Sequence, residues 1–471
     1  MRAAEAAAAA NGAPLAALME RAGAGAAEAI AGAFEPAPTV VLCGPGGNGG
    51  DGLVVARKLK ERGWPVRAVA LRPSWPDDTP AALMARLLEE PVEPWSRDAL
   101  AGARIVVDAL FGIGLSRPLA GDAAEIVATA NASGAPIVAL DVPSGIDADA
   151  GRVAGAKNGG AAGVAVRAAA TLVFGALKPL HLLFPARAFC GQTRIVDIGL
   201  SASHLAGVGP AVFANGPETW GRAFPRPSFA THKYDRGHAI IVSGPRWRTG
   251  AARLAARGAL RAGAGLVTMA SPLDAADENA AHLTAAMVAL ADSPAQLASL
   301  IVDRKARAVV VGPGGGVDSG TRAKAAAVLK SPAALIADAD ALTCSASAPQ
   351  AFFDALRDGD VLTPHAGEFA KLFPDVRLDG GRLDAAIAAA QRCGATVVAK
   401  GADSVIGAGG EAMLFGGSGD DFVNGGNRND EASGGIGNDS LIGGNGADTL
   451  FGGEDNDFIN GGSGSDTLFG E

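Results

Sequence analysis

The residues best suited to chemistry in the first half of the chain surround one glycine-rich loop. Residues 44–52 read GPGGNGGDG and stand between an apolar run, TVVLC, and a helical stretch, LVVARKLKERG. The glycines match G-x-G-x-x-G, a pattern that lets a backbone approach a pyrophosphate. Two features oppose that interpretation. The next apolar run ends in Leu-Arg-Pro without the acidic residue that binds ribose, and Asp51 would compete with a diphosphate for the helix amides.

The order of apolar and helical stretches predicts two successive α/β domains. From about residue 39 to residue 199, apolar runs such as TVVLC, RIVVDALF and PIVALDVP alternate with helical stretches rich in alanine and leucine. This alternation is typical of a parallel sheet with crossover helices. A second alternation runs from HAIIVSG to ATVVAKGADSVIGA, after a segment rich in proline and glycine. We therefore expect a domain boundary near residue 212.

Four motifs in the first domain resemble the epimerase domain of the NAD(P)H-hydrate repair enzymes. They are, in order, GPGGNGGDG, DALFGIGLSRPL (108–119), DVPSGIDADAG (141–151) and FGALKP (174–179). The resemblance covers roughly residues 1–212. It implies a Rossmann-like domain that racemises the hydrated nicotinamide cofactor, NADHX or NADPHX, at C6. The chain departs from the family at Gly47, where the family has asparagine, and so lacks one polar contact to the substrate.

The same resemblance implies roles for individual residues. Asp141 would be the catalytic proton shuttle, and a potassium ion would take oxygen ligands from Asn48, Asp108 and Ser144. The residues expected to line the hydrate are Gly47, Asn48, Gly49, Gly50, Asp51, Gly112, Ile113, Gly114, Leu115, Ser116, Arg117, Pro118 and Asp141. Taken singly, Asp108 and Asp141 could merely cap helices, and Ser144 could only form a turn. Their occurrence together, in the family's order, favours the functional interpretation.

The second domain resembles the dehydratase half of the same repair system. The motifs HKYDRGHAIIVSG, VVVGPGGG, DADAL, TPHAGE and AKGADSVI follow one another in that family's order. The resemblance implies a ribokinase-like fold in which ADP or ATP, with Mg²⁺, drives loss of water from the hydrate, since phosphorylation turns a poor leaving group into a good one. It implies hydrate contacts from Ala251, Gly314 and His365. It implies nucleotide contacts from Lys400, Gly401, Ala402, Asp403 and Ser404.

Each of these residues also has a structural interpretation. GPGGG could be only a tight turn, His365 beside a proline could be a structural loop histidine, and Lys400 could be a solvated strand end. The chain has no P-loop motif, G-x-x-x-x-G-K-[ST], so phosphate binding would need a glycine loop at a helix N-terminus.

The dehydratase family supplies that loop as a Gly-x-Gly-Asp motif followed by a long apolar helix. GGSGD at 416–420 matches it by letter and would supply Gly419 and a catalytic Asp420. The residues that follow, DFVNGGNRND, oppose a helix because they contain a glycine pair and several Asn and Asp. The spacing from Lys400 is also shorter than in the family. We therefore expect a truncated dehydratase domain, residues 213–415, with dehydration absent or severely reduced.

From residue 416 onward the sequence repeats every nine residues. Each repeat begins with a glycine pair and has an aspartate in the sixth place and an apolar residue in the eighth. This register resembles the RTX nonapeptide G-G-x-G-x-D-x-U-x, which implies a parallel β-roll. Six residues of each repeat would form a turn that binds Ca²⁺, and the last three a short strand. The sixth-place residues are Asp421, Asp430, Asp439, Asp448, Asp457 and Asp466. The alternative is a disordered acidic linker.

Composition limits the partners and the compartment. Residues 416–471 hold 11 acidic residues and one arginine, so the rest of the chain is nearly neutral and shows no basic excess suited to nucleic acid. Four scattered cysteines argue against a disulfide scaffold or a cysteine zinc site, which favours the cytoplasm. No apolar run approaches the roughly 18 to 20 residues of a membrane span. The alanine-rich start reads as an amphipathic helix and not as a signal peptide.

The sequence is therefore consistent with three functions. The first is a cytoplasmic cofactor-repair enzyme with an epimerase domain, a truncated dehydratase domain and a calcium-binding tail; its assembly as a homo-oligomer is left open. The second is a secreted calcium-binding protein that carries degenerate catalytic domains and is exported by a C-terminal signal. The third is a nicotinamide dehydrogenase, which Asp51 and the missing ribose-binding acid oppose. The compartment separates the first two, because extracellular calcium modules work at roughly 0.1 to 1 mM Ca²⁺.

Overall fold

The computed structural model describes residues 2–10, 12–156, 163–200, 204, 212–221, 224–377, 381–408, 413–418, 422–427, 429–436 and 440–470. The contacts within the chain divide it into two compact units. One consists mainly of residues 1–214 and the other mainly of residues 215–416, and segments of the C-terminal tail fall into both.

The first unit is built around a seven-stranded parallel sheet. The described strands of this unit are β1 (Thr39–Cys43), β2 (Val66–Ala70), β3 (Glu93–Pro94), β4 (Ile105–Ala109), β5 (Ile137–Leu140), β6 (Ile146–Asp147), β7 (Arg152–Val153), β8 (Ala170–Phe174) and β9 (Gln192–Val196). Of these, β6 and β7 form a separate two-stranded ribbon. The sheet order is β3-β2-β1-β4-β5-β8-β9, with every neighbouring pair parallel. The order reverses between β1 and β4, which is the switch point of a Rossmann-like sheet. The predicted fold is confirmed.

Helices cover both faces of this sheet. The described helices are α1 (Arg2–Ala10), α2 (Leu15–Ala33), α3 (Gly47–Lys60), α4 (Pro80–Leu87), α5 (Asp122–Ala132) and α6 (Arg187–Cys190). The strands β1, β4 and β5 are buried along their whole length. Strands covered on both faces need continuous apolar sequence, and this explains the unbroken apolar runs that the sequence shows.

The glycine-rich loop is shorter than the sequence suggested, because α3 begins at Gly47 inside the motif. The glycines within the helix allow close packing. A Cβ built on Gly49 would lie 1.9 Å from the carbonyl oxygen of Gly44, and one built on Gly50 would lie 2.6 Å from Sδ of Met19. Asp51 therefore lies about one turn inside the helix and not at its start, which corrects the position expected for it.

The second unit contains an eight-stranded sheet. Its strands are β10 (His238–Val242), β11 (Leu266–Ser271), β12 (Met287–Leu290), β13 (Ala308–Val311), β14 (Ala334–Ala337), β15 (Val361–Leu362), β16 (Thr396–Ala399) and β17 (Val405–Gly407). The order is β12-β11-β10-β13-β14-β15-β16-β17, and only β17 is antiparallel to its neighbour. The described helices are α7 (Pro217–Trp220), α8 (Gly250–Ala262), α9 (Ala276–His282), α10 (Pro294–Asp303), α11 (Ser319–Leu329), α12 (Asp340–Ser345), α13 (Pro349–Phe353), α14 (Ala366–Leu372) and α15 (Arg382–Cys393). This arrangement agrees with the predicted ribokinase-like class.

The tail forms two narrow sheets of short strands. The strands are β18 (Met413–Ser418), β19 (Phe422–Asn427), β20 (Glu431–Ile436), β21 (Ser440–Asn445), β22 (Thr449–Glu454), β23 (Phe458–Ser463) and β24 (Thr467–Phe469). Their orders are β18-β20-β22-β24 and β19-β21-β23, so each strand pairs with the one two repeats away. In the parallel β22–β24 pair, Thr449 aligns with Thr467, a step of two nonapeptides. The predicted β-roll is confirmed.

Packing inside the tail follows the repeat. The eighth-place residues Ala432, Leu441 and Leu450 are buried together, and Ile459 packs against them. Most strands are six residues long and not three, because they continue through the glycine pair of the following repeat. The segment after GGSGD is the strand β19. The prediction that no helix follows this motif is therefore confirmed.

No helix in the described part of the chain is both long enough and apolar enough to cross a membrane.

The packing of α3 predicts a stability effect at Gly52. A Cβ at this position would lie 2.6 Å from Cβ of Ala109 and 3.2 Å from Cγ1 of Val41. We expect Gly52→Ala to lower the free energy of unfolding by about 1–3 kcal/mol, the usual cost of overpacking a core. Denaturant unfolding followed by circular dichroism measures the change. Gly32→Ala is the matched control, since that helical glycine has open space around it. A Gly52→Ala variant as stable as the wild type would contradict this view of the helix.

Candidate active site

Asp108 and Ser144 form a buried polar pair at the carboxyl end of the first sheet. Asp108 lies near the end of β4 and is fully buried, and Ser144 is 1% exposed. Oδ1 of Asp108 lies 2.7 Å from the Ser144 hydroxyl oxygen, and Oδ2 accepts a hydrogen bond of 2.8 Å from the Ser144 N–H. Burial raises the pKa of Asp108 to about 6, although the hydrogen bonds from Ser144 and Leu110 oppose this shift. The pair joins the end of β4 to the loop after β5.

Asn48, the second residue of α3, lies against the loop that follows β4. A Cβ built on Gly112 would be 3.4 Å from Cβ of Asn48. Nδ2 of Asn48 is buried and has no hydrogen-bond partner in the described part of the chain. Turning the amide by 180° would present its oxygen at this place instead.

The residues predicted to bind potassium provide the kind of atoms that a hard cation prefers. They offer a carboxylate, a hydroxyl and an amide oxygen. Among the described residues, no group of three or more His, Cys, Asp or Glu could hold a metal ion. A cation held by Asp108, Ser144 and Asn48 would have two neutral oxygens beside one carboxylate. A monovalent ion suits such a set, because a divalent ion usually has more charged ligands.

Asp141 directly follows β5 and is held in an unusual backbone conformation. Its φ of 60° lies in the left-handed region, which residues other than glycine rarely adopt. Its N–H donates to the carbonyl of Leu172 at 2.8 Å, and Oδ1 accepts a hydrogen bond of 3.0 Å from the N–H of Phe174. Oδ2 accepts no hydrogen bond from any residue that the structure describes. One carboxylate oxygen is thus fixed, and the other is available to a ligand.

Lys178 is the partner of Asp141 and was not among the residues predicted from the sequence. Its Nζ forms an ion pair with Oδ1 of Asp141 and donates to the carbonyl of Phe174 at 2.9 Å. The two side chains are only 7% and 12% exposed. The signal for Lys178 lay in the motif FGALKP, where a lysine follows an apolar strand with no acidic residue beside it in sequence.

Asp51 is influenced electrostatically by Asp141. Asp51 is half-buried, and burial raises its pKa well above the ordinary range, with further contributions from the charges of Asp141 and Glu5.

The other predicted lining residues differ in what surrounds them. Gly49 and Gly50 are buried against protein atoms, whereas Gly47 has open space where a side chain would lie. The loop containing Gly112, Ile113, Gly114, Leu115, Ser116, Arg117 and Pro118 is partly or fully exposed. Pro118 packs closely against Gly155, since a Cβ there would be 2.1 Å from its Cγ.

In the second unit, Lys400 lies at a junction of three strand ends. Its Nζ is 2.5 Å from Oδ1 of Asp338, which also accepts a hydrogen bond of 2.8 Å from the Thr363 hydroxyl. These residues follow β14, β15 and β16. Sequence reasoning did not select Asp338 or Thr363, although DADAL and TPHAGE were among its motifs. Lys400 is therefore paired within the protein and only 39% exposed.

His365 caps α14. Its Nδ1 accepts a hydrogen bond of 3.0 Å from the N–H of Gly367, and its Nε2 lies 3.2 Å from Oε1 of Glu368. The structural interpretation of this histidine thus has direct support, although its side chain is 60% exposed and open to a ligand.

Two further predicted contacts lie close together. Gly314 has a φ of 68°, and a Cβ there would be 2.3 Å from the carbonyl oxygen of Arg248, just before the helix that contains the exposed Ala251.

In the proposed nucleotide run, Asp403 forms an ion pair with Arg382, and Gly401, Ala402 and Ser404 are exposed. Gly419 and Asp420 lie outside the described residues.

The tail aspartates link repeats that are two apart. Oδ1 of Asp448 accepts a hydrogen bond of 2.7 Å from the N–H of Asp430, and the N–H of Asp448 donates to Oδ1 of Asp466 at 3.0 Å. Asp448 is 1% exposed, and its Oδ2 is buried without a partner among the described residues. A Cβ built on Gly443 would lie 2.3 Å from Oδ2 of Asp448, and one built on Gly452 would lie 2.3 Å from Oδ2 of Asp457, so both aspartates pack against the first glycine of their own repeat. Asp421 and Asp439 lie outside the described residues.

These features define a class of protein: an α/β enzyme with a Rossmann-like domain, a ribokinase-like domain and a C-terminal β-roll. Three family models match the chain in this order. YjeF-related protein N-terminus covers residues 15–180, NAD(P)H-hydrate dehydratase covers 239–438, and the RTX calcium-binding nonapeptide repeat covers 433–468.

Relatives match across most of the chain. The bifunctional NAD(P)H-hydrate repair enzyme of Synechocystis is 36% identical, over 84% of this chain and 76% of its own length. That of Gloeobacter violaceus is 38% identical, over 85% and 80%. Among solved structures, the ADP/ATP-dependent NAD(P)H-hydrate dehydratase of Bacillus subtilis co-crystallised with ATP and Mg²⁺ is 26% identical, with a TM-score of 0.34 over 40% of this chain and 66% of that one.

The chain belongs to the family of bifunctional NAD(P)H-hydrate repair enzymes. It carries the epimerase and ADP-dependent dehydratase domains of that family and acts in the repair of hydrated nicotinamide cofactors. The resemblances drawn from the sequence motifs are thus confirmed, including that of the repeats. The comparisons give the secreted calcium-binding alternative no better support.

Proposed function

We propose that the first domain, residues 1–212, epimerises NAD(P)H hydrate with Asp141 as the group that carries the proton. The observation behind this proposal is the asymmetry of the carboxylate. Oδ1 is held by Lys178 and by the N–H of Phe174, while Oδ2 has no partner among the described residues. A base needs one oxygen free to reach the substrate and a fixed position from which to act.

The chemistry follows from the position of the hydroxyl group. In the hydrate, C6 bears the hydroxyl and is bonded to the ring nitrogen. Oδ2 of Asp141 removes the hydroxyl proton, the O–H electron pair forms a C=O bond, and the C6–N bond opens with its electron pair left on nitrogen. Reclosure on the other face of the carbonyl re-forms the C6–N bond. Asp141 returns the proton to oxygen, so no atom is gained or lost. The ion pair with Lys178 holds the other carboxylate oxygen, Oδ1, in place during these steps.

Asn48, Asp108 and Ser144 are the residues that would hold a potassium ion. The buried carboxylate of Asp108, the Ser144 hydroxyl and the unpartnered amide of Asn48 support this assignment. The ion would offset the buried negative charge and so stabilise the loop that presents Asp141. Gly47 at the start of α3, Asp51 and the loop 112–118 complete the proposed hydrate-binding surface.

The first test is Asp141→Asn, which removes the base without changing the size of the side chain. We expect the epimerisation rate to fall by about 10²- to 10⁴-fold, the usual contribution of a positioned general base. Chromatography of the R and S hydrates measures interconversion against the uncatalysed rate. Asp149→Asn, an exposed aspartate in the same motif, is the control and should keep its activity. Wild-type turnover in the Asp141 variant would refute the assignment.

We propose that the second domain, residues 213–415, does not complete nucleotide-driven dehydration. Its proposed site keeps the hydrate contacts Ala251, Gly314 and His365 and the nucleotide run 400–404. The domain does not have a complete phosphate-binding loop among its described residues. GGSGD is followed by β19 and not by the helix that should aim its amides at phosphate.

The repeat that begins at residue 434 is a second candidate for the phosphate-binding loop, and it is also incomplete. The dehydratase match ends at residue 438, within the repeat GGIGND. Aligned there, the Gly-x-Gly-Asp motif would place Asn438 where the family has aspartate. The strand β21 follows, where a helix is needed. Neither glycine loop supplies both the acidic residue and the helix.

The expected result is therefore no recovery of NADH from its hydrate with ADP or ATP and Mg²⁺. Absorbance of NADH at its long-wavelength band follows the reaction, with a dehydratase from a relative as the positive control. The variants Asp420→Asn and Asn438→Asp address the two candidate loops and should not change the result. Nucleotide-dependent recovery that disappears in Asp420→Asn would show that GGSGD is the catalytic loop.

We propose that the tail, residues 416–471, binds Ca²⁺ between repeats two apart. The unpartnered Oδ2 of Asp448 and its place between Asp430 and Asp466 support this proposal. A cation there would neutralise carboxylates that lie at one phase of the repeat, with main-chain oxygens of the turns as further ligands. Such modules usually need roughly 0.1 to 1 mM Ca²⁺, so in the cytoplasm most of these sites would be empty.

Calorimetric titration of the full chain tests this proposal. We expect Asp448→Asn to weaken Ca²⁺ affinity by at least about tenfold, since affinity depends on the number of charged ligands. The control Glu454→Gln removes an exposed negative charge from outside the sixth place and should bind like the wild type. Equal weakening in both variants would indicate a general charge effect and not a defined site.

We place the enzyme in the cytoplasm, where its cofactor substrates are used. The four cysteines are buried free thiols, in keeping with a reducing compartment.

A further inference from the structure

We propose that His181 is a positioning residue that fixes the Asp141–Lys178 pair and thereby sets the rate of epimerisation. This inference rests on the proposed role of Asp141. His181 ends a short 3₁₀ turn, Pro179–His181, and is only 2% exposed. It therefore acts through its neighbours and not by touching the hydrate.

The imidazole connects the backbones of the two paired residues. Its Nε2 lies 2.9 Å from the carbonyl oxygen of Asp141, and its Nδ1 lies 3.0 Å from the amide nitrogen of Lys178. The amide N–H of Lys178 can only donate, so Nδ1 must accept. Nε2 must then carry the proton and donate to the carbonyl of Asp141, since a carbonyl can only accept. Both contacts are satisfied only by the neutral ring with its proton on Nε2.

The surroundings of the ring agree with that state. Burial lowers the pKa of His181, and the positive charge of Lys178 acts in the same direction. A neutral imidazole leaves Lys178 as the cation of this group, paired with Asp141.

The backbone of Asp141 explains why such a connection matters. Its left-handed conformation is unfavourable for aspartate and persists only where neighbouring groups enforce it. The N–H of Asp141 is held by Leu172, Oδ1 by Phe174 and Lys178, and the carbonyl by His181. Loss of the last contact would let the peptide after Asp141 rotate, and the carboxylate would move away from Lys178.

Two polar variants separate the two contacts of His181. In His181→Asn, the side-chain oxygen can replace Nδ1 and accept from Lys178, but the short amide cannot reach Asp141. In His181→Gln, the longer amide can donate to the carbonyl of Asp141. We expect the Asn variant to lose at least tenfold in kcat with less than a threefold change in KM. The Gln variant should recover to within threefold of wild-type kcat. Thermal melting of the full chain checks that each variant is folded.

The outcomes distinguish this inference from the proposed function. If folded His181→Asn turns over within twofold of the wild type, or folded His181→Gln is as slow as the Asn variant, His181 does not act by positioning Asp141. If the Asn variant does not fold, the kcat of the Gln variant alone decides. Asp141→Asn is measured in parallel. Activity of that variant would overturn the role of Asp141 itself, whereas an inactive Asp141→Asn beside a fully active His181→Asn would overturn only this inference.

Discussion

The buried ion pair between Asp141 and Lys178 is the interaction on which the first domain depends. A charge pair with so little exposure gains stability from further hydrogen bonds to the same two residues. The ends of β5 and β8 provide for this, since Leu172 and Phe174 hold the backbone and side chain of Asp141. Because both strands belong to one parallel sheet, their carboxyl ends lie at the same edge, and the sheet places the pair beside Asp108 and Ser144.

The loss of dehydration that we propose for the second domain has its reason in the sequence that follows residue 415. A phosphate cradle requires a helix N-terminus, and a helix requires residues that tolerate helical geometry. The nonapeptide repeat requires a glycine pair every nine residues, and each glycine costs a helix about 1 kcal/mol relative to alanine. One stretch of chain cannot meet both requirements. The strands β19 and β21 show which requirement is met after residue 421.

Much of the fold could be predicted from the sequence, because its signals are local and periodic. The alternation of strands and helices, the nine-residue register and the burial of Leu441 and Leu450 follow from patterns within short windows. The closeness of Asp108 and Ser144 came from ordered family motifs. The contacts of Lys178 and His181 with Asp141 could not be predicted, because they join residues 37 and 40 positions apart and no local pattern encodes them. The early start of α3 was missed because glycine disfavours helices locally, while packing against Met19 and Gly44 favours it here.

The central claim is that Asp141 and Lys178 act as one unit, and a double-mutant cycle tests it most directly. Epimerisation rates are measured for Asp141→Asn, Lys178→Met and the double variant, each checked for folding. Residues that act as a unit have strongly non-additive effects. We predict that the double variant is no slower than the slower single variant. If the two losses multiply in the double variant, the residues contribute independently, and the ion pair is not the basis of catalysis.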